Sequence, residues 1–300
     1  MLGEPHQLIV IGGPTGSGKT KLALQLATHF NCSILSADAR QVFQELKIGS
    51  AAPSEEELKQ AKHYFVGDRS IHQPFNAGMF EQEALVLLDK LFQENNTQLV
   101  CGGSGLYINA LLNGMDEMPE IPAEIRETLN LRWKTEGLPA LTVELKQKDA
   151  VFAAQVDLEN PQRIIRALEI ITATGRPYSS FRKKTKKVRN FKVSYFATDV
   201  KREELYRNIN HRTLQMMENG WLAETEALLF YKHLNALQTV GYKELFHYFE
   251  GKYSLDEAIA LIQQNTRRYA KRQVTWLKNQ AAVQWIHPEM DVLEILKKIS

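Results

Sequence analysis

Cysteine is scarce in this chain, and long apolar runs are absent. Only two cysteines, Cys32 and Cys101, occur among the 300 residues, and neither lies in a Cys-x-x-Cys pair. We therefore expect no disulfide framework and no structural zinc site, and a reducing compartment fits this composition. No apolar run approaches the roughly 18 residues of a membrane-spanning helix, and residues 1–7 lack the apolar core of a signal peptide. We expect a soluble, cytoplasmic protein without membrane association.

The whole chain is nearly neutral, but its two halves carry opposite net charges. The 37 lysines and arginines nearly balance the 35 aspartates and glutamates. Residues 1–150 hold 13 basic against 19 acidic residues, a net charge of −6, and residues 151–300 hold 24 against 16, a net charge of +8. Either a polyanionic partner of the second half or ordinary solvated helix faces would explain this asymmetry.

A glycine-rich loop near the start of the chain has the pattern of a phosphate-binding P-loop. It follows the apolar run 7–12, which is typical of a buried parallel strand, and precedes a helical pattern over 21–30. We expect the backbone N–H groups of residues 16–20 to surround phosphate oxygens, Lys19 to add a positive charge, and the Thr20 hydroxyl to ligate Mg²⁺. The loop consists of Gly13, Pro14, Thr15, Gly16, Ser17, Gly18, Lys19 and Thr20.

Two further strands are predicted at 33–36 and 98–101, and polar residues follow both. Asp38 comes after the first, where it could act as a general base or bind Mg²⁺, or could cap a following helix. The second strand leads into Cys-Gly-Gly-Ser-Gly-Leu-Tyr at 101–107, whose glycines permit close approach of a ligand to the backbone. This segment, with Ser104, is interpreted as a wall of the site, although turn formation alone would also explain it.

The segment 79–93 between these strands has the apolar spacing of a helix. Asp89 follows an apolar stretch, a pattern that also precedes magnesium-binding aspartates in P-loop proteins. Because the apolar residues recur at helical intervals, we interpret Asp89 as a surface residue of that helix.

These elements predict an α/β fold: a P-loop NTPase-like parallel sheet flanked by helices, with an inserted all-helical domain. From about residue 111 the pattern becomes helical, over 123–135, 138–148 and 161–174, and a strand-like segment returns at 191–197. We predict a core formed by 1–112 and 191–300 and a helical insertion at 113–190. Residues 202–278 are predicted to form further helices.

Three groups of basic residues stand out in the second half. Arg163 and Arg166 share one helical face, four cations surround Tyr269 within 267–272, and the run 182–189 is too highly charged to be core. Arginines beside aromatic side chains suit contacts with RNA phosphates and stacked bases, whereas solvated helix faces remain the alternative for each group.

The assembled motifs resemble the bacterial tRNA dimethylallyltransferase family over roughly nine-tenths of the chain. The resemblance includes Ser-Ala-Asp-Ala-Arg-Gln-Val at 36–42 and Asn-Pro-Gln-Arg-Ile-Ile-Arg at 160–166. The other matching segments are the P-loop and residues 49–53, 102–107, 167–169, 174–177, 217–220, 237–245 and 266–276.

The resemblance implies transfer of a dimethylallyl group from dimethylallyl diphosphate to N6 of adenosine 37, in tRNAs that read codons beginning with U. It implies Asp38 as general base, Ser104 and Lys19 as further catalytic residues, Arg212 near the diphosphate, and a helical insertion that grips the anticodon stem. The implied tRNA contacts are Asp38, Ala39, Arg40, Gln41, Ser104, Arg126, Gln162, Arg163, Ile164, Ile165, Arg166, Gln238, Thr239, Val240, Gly241, Tyr242 and Lys243.

This chain departs from the family pattern at two positions. Ser104 stands where the family usually has threonine, which retains the hydroxyl, and Ala39 stands where serine is usual. Three other functions stay open on sequence: an ATP-dependent small-molecule kinase, a transferase acting on free adenine nucleotides, and a non-catalytic RNA-binding protein. We expect a monomer.

Overall fold

The computed structural model describes residues 5–183 and 185–299. Among these, residues 5–112 and 188–299 form one compact unit, and residues 113–183 and 185–187 form a second. The helical unit begins at the predicted residue and ends at Lys187, three residues before the predicted boundary. Within the described ranges, no helix combines the length and apolar character needed to cross a bilayer.

The larger unit is built on a parallel sheet, as predicted, with the strand order β3-β2-β4-β1-β5-β6. The central strand, β1, is fully buried from Leu8 to Ile11 because helices cover both faces of a parallel sheet. Its Val10 lies opposite Val100 on one side and Tyr195 on the other. The strands are β1 Gln7–Gly12, β2 Ile34–Ser36, β3 His63–Tyr64, β4 Thr97–Gly102, β5 Lys192–Thr198 and β6 Val283–Ile286.

Helices flank this sheet and make up the second unit. The first helix packs Leu22 and Leu26 against Ile9 and Ile11 of the central strand, which fixes the start of the helix at the sheet edge. The helices are α1 Lys19–Phe30, α2 Glu55–Gln60, α3 Ala77–Glu94, α4 Gly105–Asn113, α5 Ala123–Lys148, α6 Ala150–Ala153, α7 Pro161–Thr174, α8 Arg202–Glu218, α9 Trp221–Ala227, α10 Tyr242–Phe249, α11 Leu255–Lys278 and α12 Val292–Leu296.

The helix α3 supports the interpretation of Asp89. Phe80, Ala84, Leu88 and Leu91 are buried along one face, as their spacing predicts. Asp89 is exposed on the opposite side and accepts a hydrogen bond of 3.1 Å from the Asn190 side chain. It is a surface residue of the helix.

The helical unit contains α5, α6 and α7. Gly137 interrupts α5 with φ 81° and ψ 167°, which agrees with the two separate helices predicted at 123–135 and 138–148. The helix α7 begins where the Asn160 side chain accepts a hydrogen bond from Arg163 N and Pro161 occupies the first turn. No strand occurs in this unit among the residues that the structure describes.

The charge run 182–189 is not wholly outside the core, which corrects the prediction for its last residue. The Arg189 guanidinium is largely buried and pairs with the buried Glu81 carboxylate at 2.9 Å. It also donates to the backbone oxygens of Leu111 and Ala110 at 2.8 and 3.0 Å. Lys183 and residues 185–188 are exposed, and Lys184 lies outside the described residues.

The Arg189 pair generates a stability prediction. Replacing Arg189 with Met should lower the free energy of unfolding by about 3 kcal/mol, because the buried Glu81 carboxylate loses its cationic partner. Urea denaturation measures this change. Lys186→Met is the matched control from the exposed part of the run and should change stability by less than about 0.5 kcal/mol. Equal effects of the two substitutions would contradict the inward role of Arg189.

Candidate active site

The phosphate-binding loop is attached to the end of strand β5 by a hydrogen bond between side chains. The Ser17 hydroxyl is buried and lies 2.6 Å from the Thr198 hydroxyl at the end of β5. A side chain at Gly13 would collide with the Thr198 hydroxyl. Gly18 precedes α1 with φ 81°, a conformation that favours glycine. The Ser17 side chain therefore faces the core, and Lys19 and backbone amides such as that of Gly16 are left for a ligand.

Two cations stand at this loop. The Lys19 ammonium is 3.4 Å from Pro14 O, and the Arg212 guanidinium is 3.5 Å from the Thr15 hydroxyl. Burial lowers the pKa of Lys19 below its ordinary value, Arg212 lowers it further, and Cys101 and Asp38 oppose that shift. Burial also lowers the pKa of Arg212, against the opposing effect of Asp38. Burial has removed part of the water around both cations, and a bound anion would replace those lost interactions.

Asp38 lies at the end of β2, beside this loop. Its Oδ1 accepts hydrogen bonds from Arg40 N at 2.9 Å and Gln41 N at 3.3 Å. Turns rather than a helix follow it, so the helix-cap alternative is wrong, although the carboxylate does cap the local turn. The Gln41 side chain holds the same turn by accepting from the Ser36 hydroxyl and donating to Ala51 O, both at 2.8 Å.

Ser104 joins the end of β4 to the Asp38 turn. Its hydroxyl accepts a hydrogen bond from Ala39 N at 3.1 Å, and its backbone N donates to Ala37 O at 3.2 Å. Tyr269 of helix α11 lines the cavity beside Asp38, and partial burial of its hydroxyl raises the pKa of that phenol, with a further increase from the charge of Asp38. The structure therefore brings the three predicted strand ends together.

A cavity of about 160 Å³ is lined by the phosphate loop, the Asp38 turn, Arg212 and Tyr269, whereas Ser104 supports the Asp38 turn from outside the lining. It lies beside a larger cavity of about 770 Å³, and the two share Lys19, Thr20, Gln41, Ala51, Arg212 and Met216. Its polar lining side chains include those of Thr15, Lys19, Thr20, Asp38, Arg40, Gln41, Arg212 and Tyr269. A phosphate-bearing donor can thus lie at the loop while a second substrate approaches Asp38.

Glu224 holds the segment 48–49, which lies between the two cavities. No sequence pattern predicted this role. Its carboxylate accepts from Ile48 N at 2.7 Å, from Gly49 N at 2.9 Å and from the Tyr242 hydroxyl at 2.6 Å. A side chain at Gly49 would collide with Trp221. Tyr242 is fully buried, so it supports this segment from within.

The implied tRNA contacts differ in exposure. Ile164 and Ile165 are fully buried in the core of the helical unit, and Gly241 and Tyr242 are buried in the larger unit, so their side-chain positions are closed to solvent. Thr239 and Val240 line the smaller cavity. Five implied contacts are exposed: Arg126, Gln162, Arg163, Gln238 and Lys243.

Arg126 and Arg166 have a structural partner within the helical unit. Both approach the buried carboxylate of Glu169, at 3.1 and 3.2 Å, and Arg126 also donates to the Gln162 side chain at 3.1 Å. These arginines remain partly exposed. They are therefore held in place by Glu169 with part of each side chain at the surface.

Helix α11 has an exposed basic face. Arg267 turns partly inward and donates to the Asn210 side chain at 2.6 Å. The Arg272 guanidinium lies 5.6 Å from the Tyr269 ring centroid, a cation–π arrangement. A surface groove on this face is lined by Arg268, Lys271, Arg272, Thr275, Trp276 and Asn279.

Fold and site define an α/β protein of the P-loop class, with a carboxylate and two cations on one cavity. Comparison with known proteins gives the family: a profile described as IPP transferase matches residues 41–280. The chain belongs to this family.

Similar proteins cover nearly the whole chain. A tRNA dimethylallyltransferase of Cytophaga hutchinsonii is 48% identical over 281 residues, which is 94% of this chain and 92% of the relative. The tRNA dimethylallyltransferase 1 of Bacteroides thetaiotaomicron is 46% identical and covers 97% of this chain, with 95% of its own length matched. The crystal structure of the tRNA isopentenylpyrophosphate transferase of Bacillus halodurans is 31% identical, with a TM-score of 0.69 and coverage of 98% and 94% of the two chains.

The buried position of Tyr242 generates a prediction. Tyr242→Phe removes the hydroxyl that donates to Glu224 and should lower the free energy of unfolding by about 1–2 kcal/mol, because a partly buried carboxylate loses a hydrogen bond. Affinity for tRNA should stay within about twofold, since the ring is closed to solvent. Lys243→Met, at the exposed next position, should weaken tRNA binding without loss of stability. A large drop in tRNA affinity in Tyr242→Phe at unchanged stability would contradict the supporting role.

Proposed function

We propose that this protein transfers a dimethylallyl group from dimethylallyl diphosphate to N6 of adenosine 37, in tRNAs that read codons beginning with U. The observation that carries the proposal is the single cavity shared by Asp38, Lys19 and Arg212, in a chain of the IPP transferase family. A prenyl diphosphate supplies an anion for the two cations, and an adenine amine supplies a proton for the carboxylate.

The proposed reaction is a substitution at the first carbon of the prenyl group. The N6–carbon bond forms as the bond from that carbon to the diphosphate oxygen breaks, and its electron pair leaves with the diphosphate. The N6 proton passes to Asp38, which helps because a conjugated exocyclic amine is a poor nucleophile. Lys19, Arg212 and the amides of the phosphate loop stabilise the charge that develops on the departing diphosphate.

We further propose Mg²⁺ as cofactor. Thr20 and Asp38 line the same cavity, whereas the described residues contain no group of three acidic, histidine or cysteine side chains that could hold a metal by themselves. The Thr20 hydroxyl would hold the ion beside the diphosphate, as hydroxyl and phosphate oxygens suit Mg²⁺. When bound, the ion neutralises charge on the leaving group.

The proposed RNA partner is the anticodon stem-loop. The target base must leave its stack to reach a cavity at the sheet edge. Phosphate contacts are proposed from the exposed basic face of α11 and, in the helical unit, from Arg163. The cytoplasm, where tRNA is found, is the proposed location, and the monomeric state stays a prediction.

The direct test uses labelled dimethylallyl diphosphate, Mg²⁺ and unmodified tRNA. Label should appear in the RNA at adenosine 37, located by nuclease digestion and mass spectrometry. A parallel reaction with ATP and small-molecule acceptors should give no phosphorylated product. Phosphoryl transfer from ATP without transfer of label to RNA would overturn the proposal in favour of a kinase.

The role of Asp38 gives a kinetic prediction. Asp38→Ala should lower kcat by at least ~10²-fold, as expected when a general base is removed, with a much smaller effect on tRNA affinity. Single-turnover rates and filter binding separate the two quantities. Asp89→Ala, which removes an exposed carboxylate from α3, is the matched control and should keep the normal rate. Normal turnover of Asp38→Ala would remove Asp38 from the mechanism.

The helical unit gives a prediction on salt dependence. Arg163→Ala should weaken tRNA binding and reduce the slope of log affinity against log salt by about 0.7–0.9, as expected when the protein neutralises one phosphate fewer. Arg132→Ala is the control, because Arg132 is engaged by Glu136 and Glu144 on α5. An unchanged slope in Arg163→Ala would assign Arg163 to the structure of the unit instead.

A further inference from the structure

One buried side chain connects two loops of the site and has no role in the reaction as described. Gln273 of helix α11 is only 8% exposed. Its Oε1 accepts a hydrogen bond from Thr15 N of the phosphate loop at 3.0 Å. Its Nε2 donates to Gly103 O, beside Ser104, at 2.8 Å. Both polar atoms of this amide are therefore used, each on a different strand-end loop.

The surroundings leave this amide little freedom. Tyr269 and Trp276 lie four residues before and three residues after Gln273, on the same side of the helix. A side chain at Gly103 would collide with Gln273 Nε2, and one at Gly105 would collide with the Trp276 ring. The helix thus lies directly on the 103–105 turn, and the amide acts as a rigid bridge from that turn to the phosphate loop.

The bridge also changes what the phosphate loop offers a ligand. Each backbone N–H carries one proton, so Thr15 N cannot donate fully to Gln273 and to a phosphate oxygen at once. The amide oxygen adds partial negative charge where the loop meets the cavity. The loop consequently offers phosphate its amides beyond Thr15, apart from Ser17 N, which donates to Pro14 O at 3.3 Å. At Thr15, an acceptor takes the place of a donor.

We propose that Gln273 is a positioning residue of the diphosphate site, an inference that rests on the proposed function. It holds the phosphate loop in register with the Ser104 turn, and so fixes the distance between the leaving group and Asp38. By occupying Thr15 N, it also favours a diphosphate over a longer polyphosphate. It touches no reacting atom and acts through the two loops.

The experiment measures binding of inorganic diphosphate and inorganic triphosphate to the full chain by calorimetry, with Mg²⁺ present. Gln273→Met keeps the size of the side chain without either hydrogen bond, and Gln273→Glu keeps an acceptor for Thr15 N but adds a negative charge. Gln264→Met, at an exposed position of the same helix, is the control. Melting temperatures and the kinetics of prenyl transfer are recorded for each variant.

Gln273→Met should bind diphosphate about tenfold more weakly, and kcat/KM for dimethylallyl diphosphate should fall by a similar factor with KM for tRNA unchanged. The preference for diphosphate over triphosphate should fall in Gln273→Met, which frees Thr15 N, and rise in Gln273→Glu, which repels the more highly charged anion. The control Gln264→Met should match the wild type in its affinities for both anions, in its melting temperature and in its prenyl-transfer kinetics.

Two results would overturn the inference. Wild-type affinities in Gln273→Met would show that the bridge does not shape the site. Equal proportional decreases in affinity for both anions in both variants would show that Gln273 only stabilises the fold. If the wild-type protein binds diphosphate but transfers no prenyl group, the proposed function fails while the anion measurements still test the role of Gln273.

Discussion

Two cations facing one carboxylate across a small cavity set the requirements for the whole site. The side chains of Lys19 and Arg212 are there without a full set of partners, and burial lowers the pKa of both below their ordinary values. The negative charge of Asp38 offsets only part of the excess positive charge. Under the proposed function, a diphosphate would supply the missing negative charge, so binding of the donor and stabilisation of the leaving group would follow from the same electrostatics.

The excess positive charge at this cavity can persist only if the loops around it are held rigidly. Side chains that are distant in sequence supply this rigidity. Ser104 ties the end of β4 to the Asp38 turn, Glu224 ties the 48–49 segment to Tyr242, and Gln273 ties the phosphate loop to Gly103. Each bond satisfies a backbone or hydroxyl group that would otherwise be left without a partner near a low-dielectric cavity. The catalytic geometry is therefore a property of the sheet edge together with helices α9, α10 and α11.

Local pattern was enough to predict the elements that carry the chemistry. The strands β1, β2 and β4 contain continuous apolar runs, the helices α1 and α3 have helical spacing of apolar residues, and the phosphate loop has its own glycine spacing. The strands β3, His63–Tyr64, and β6, Val283–Ile286, were missed because neither contains a continuous apolar run. Arg189 was misjudged because a run of cations does not show which one turns inward.

The supporting residues were beyond prediction for a different reason. Thr15 and Gln273 are 258 positions apart, and Gly49 and Glu224 are 175 apart, so nothing in either local sequence reveals the contact. The resemblance to the family marked Tyr242, Ile164 and Ile165 as RNA contacts, yet their burial assigns them to the support of neighbouring exposed positions. A matched motif thus marks a segment without identifying which of its side chains are exposed.

The fate of one oxygen atom tests the central claim most directly. Dimethylallyl diphosphate labelled with ¹⁸O in the bridge between carbon and phosphorus is turned over with unmodified tRNA, and the products are analysed by mass spectrometry. If the phosphate loop holds a leaving diphosphate, the carbon–oxygen bond breaks and all the label stays in the released diphosphate. Label retained on the dimethylallyl fragment would mean that the phosphorus–oxygen bond breaks, and would contradict prenyl transfer at this site.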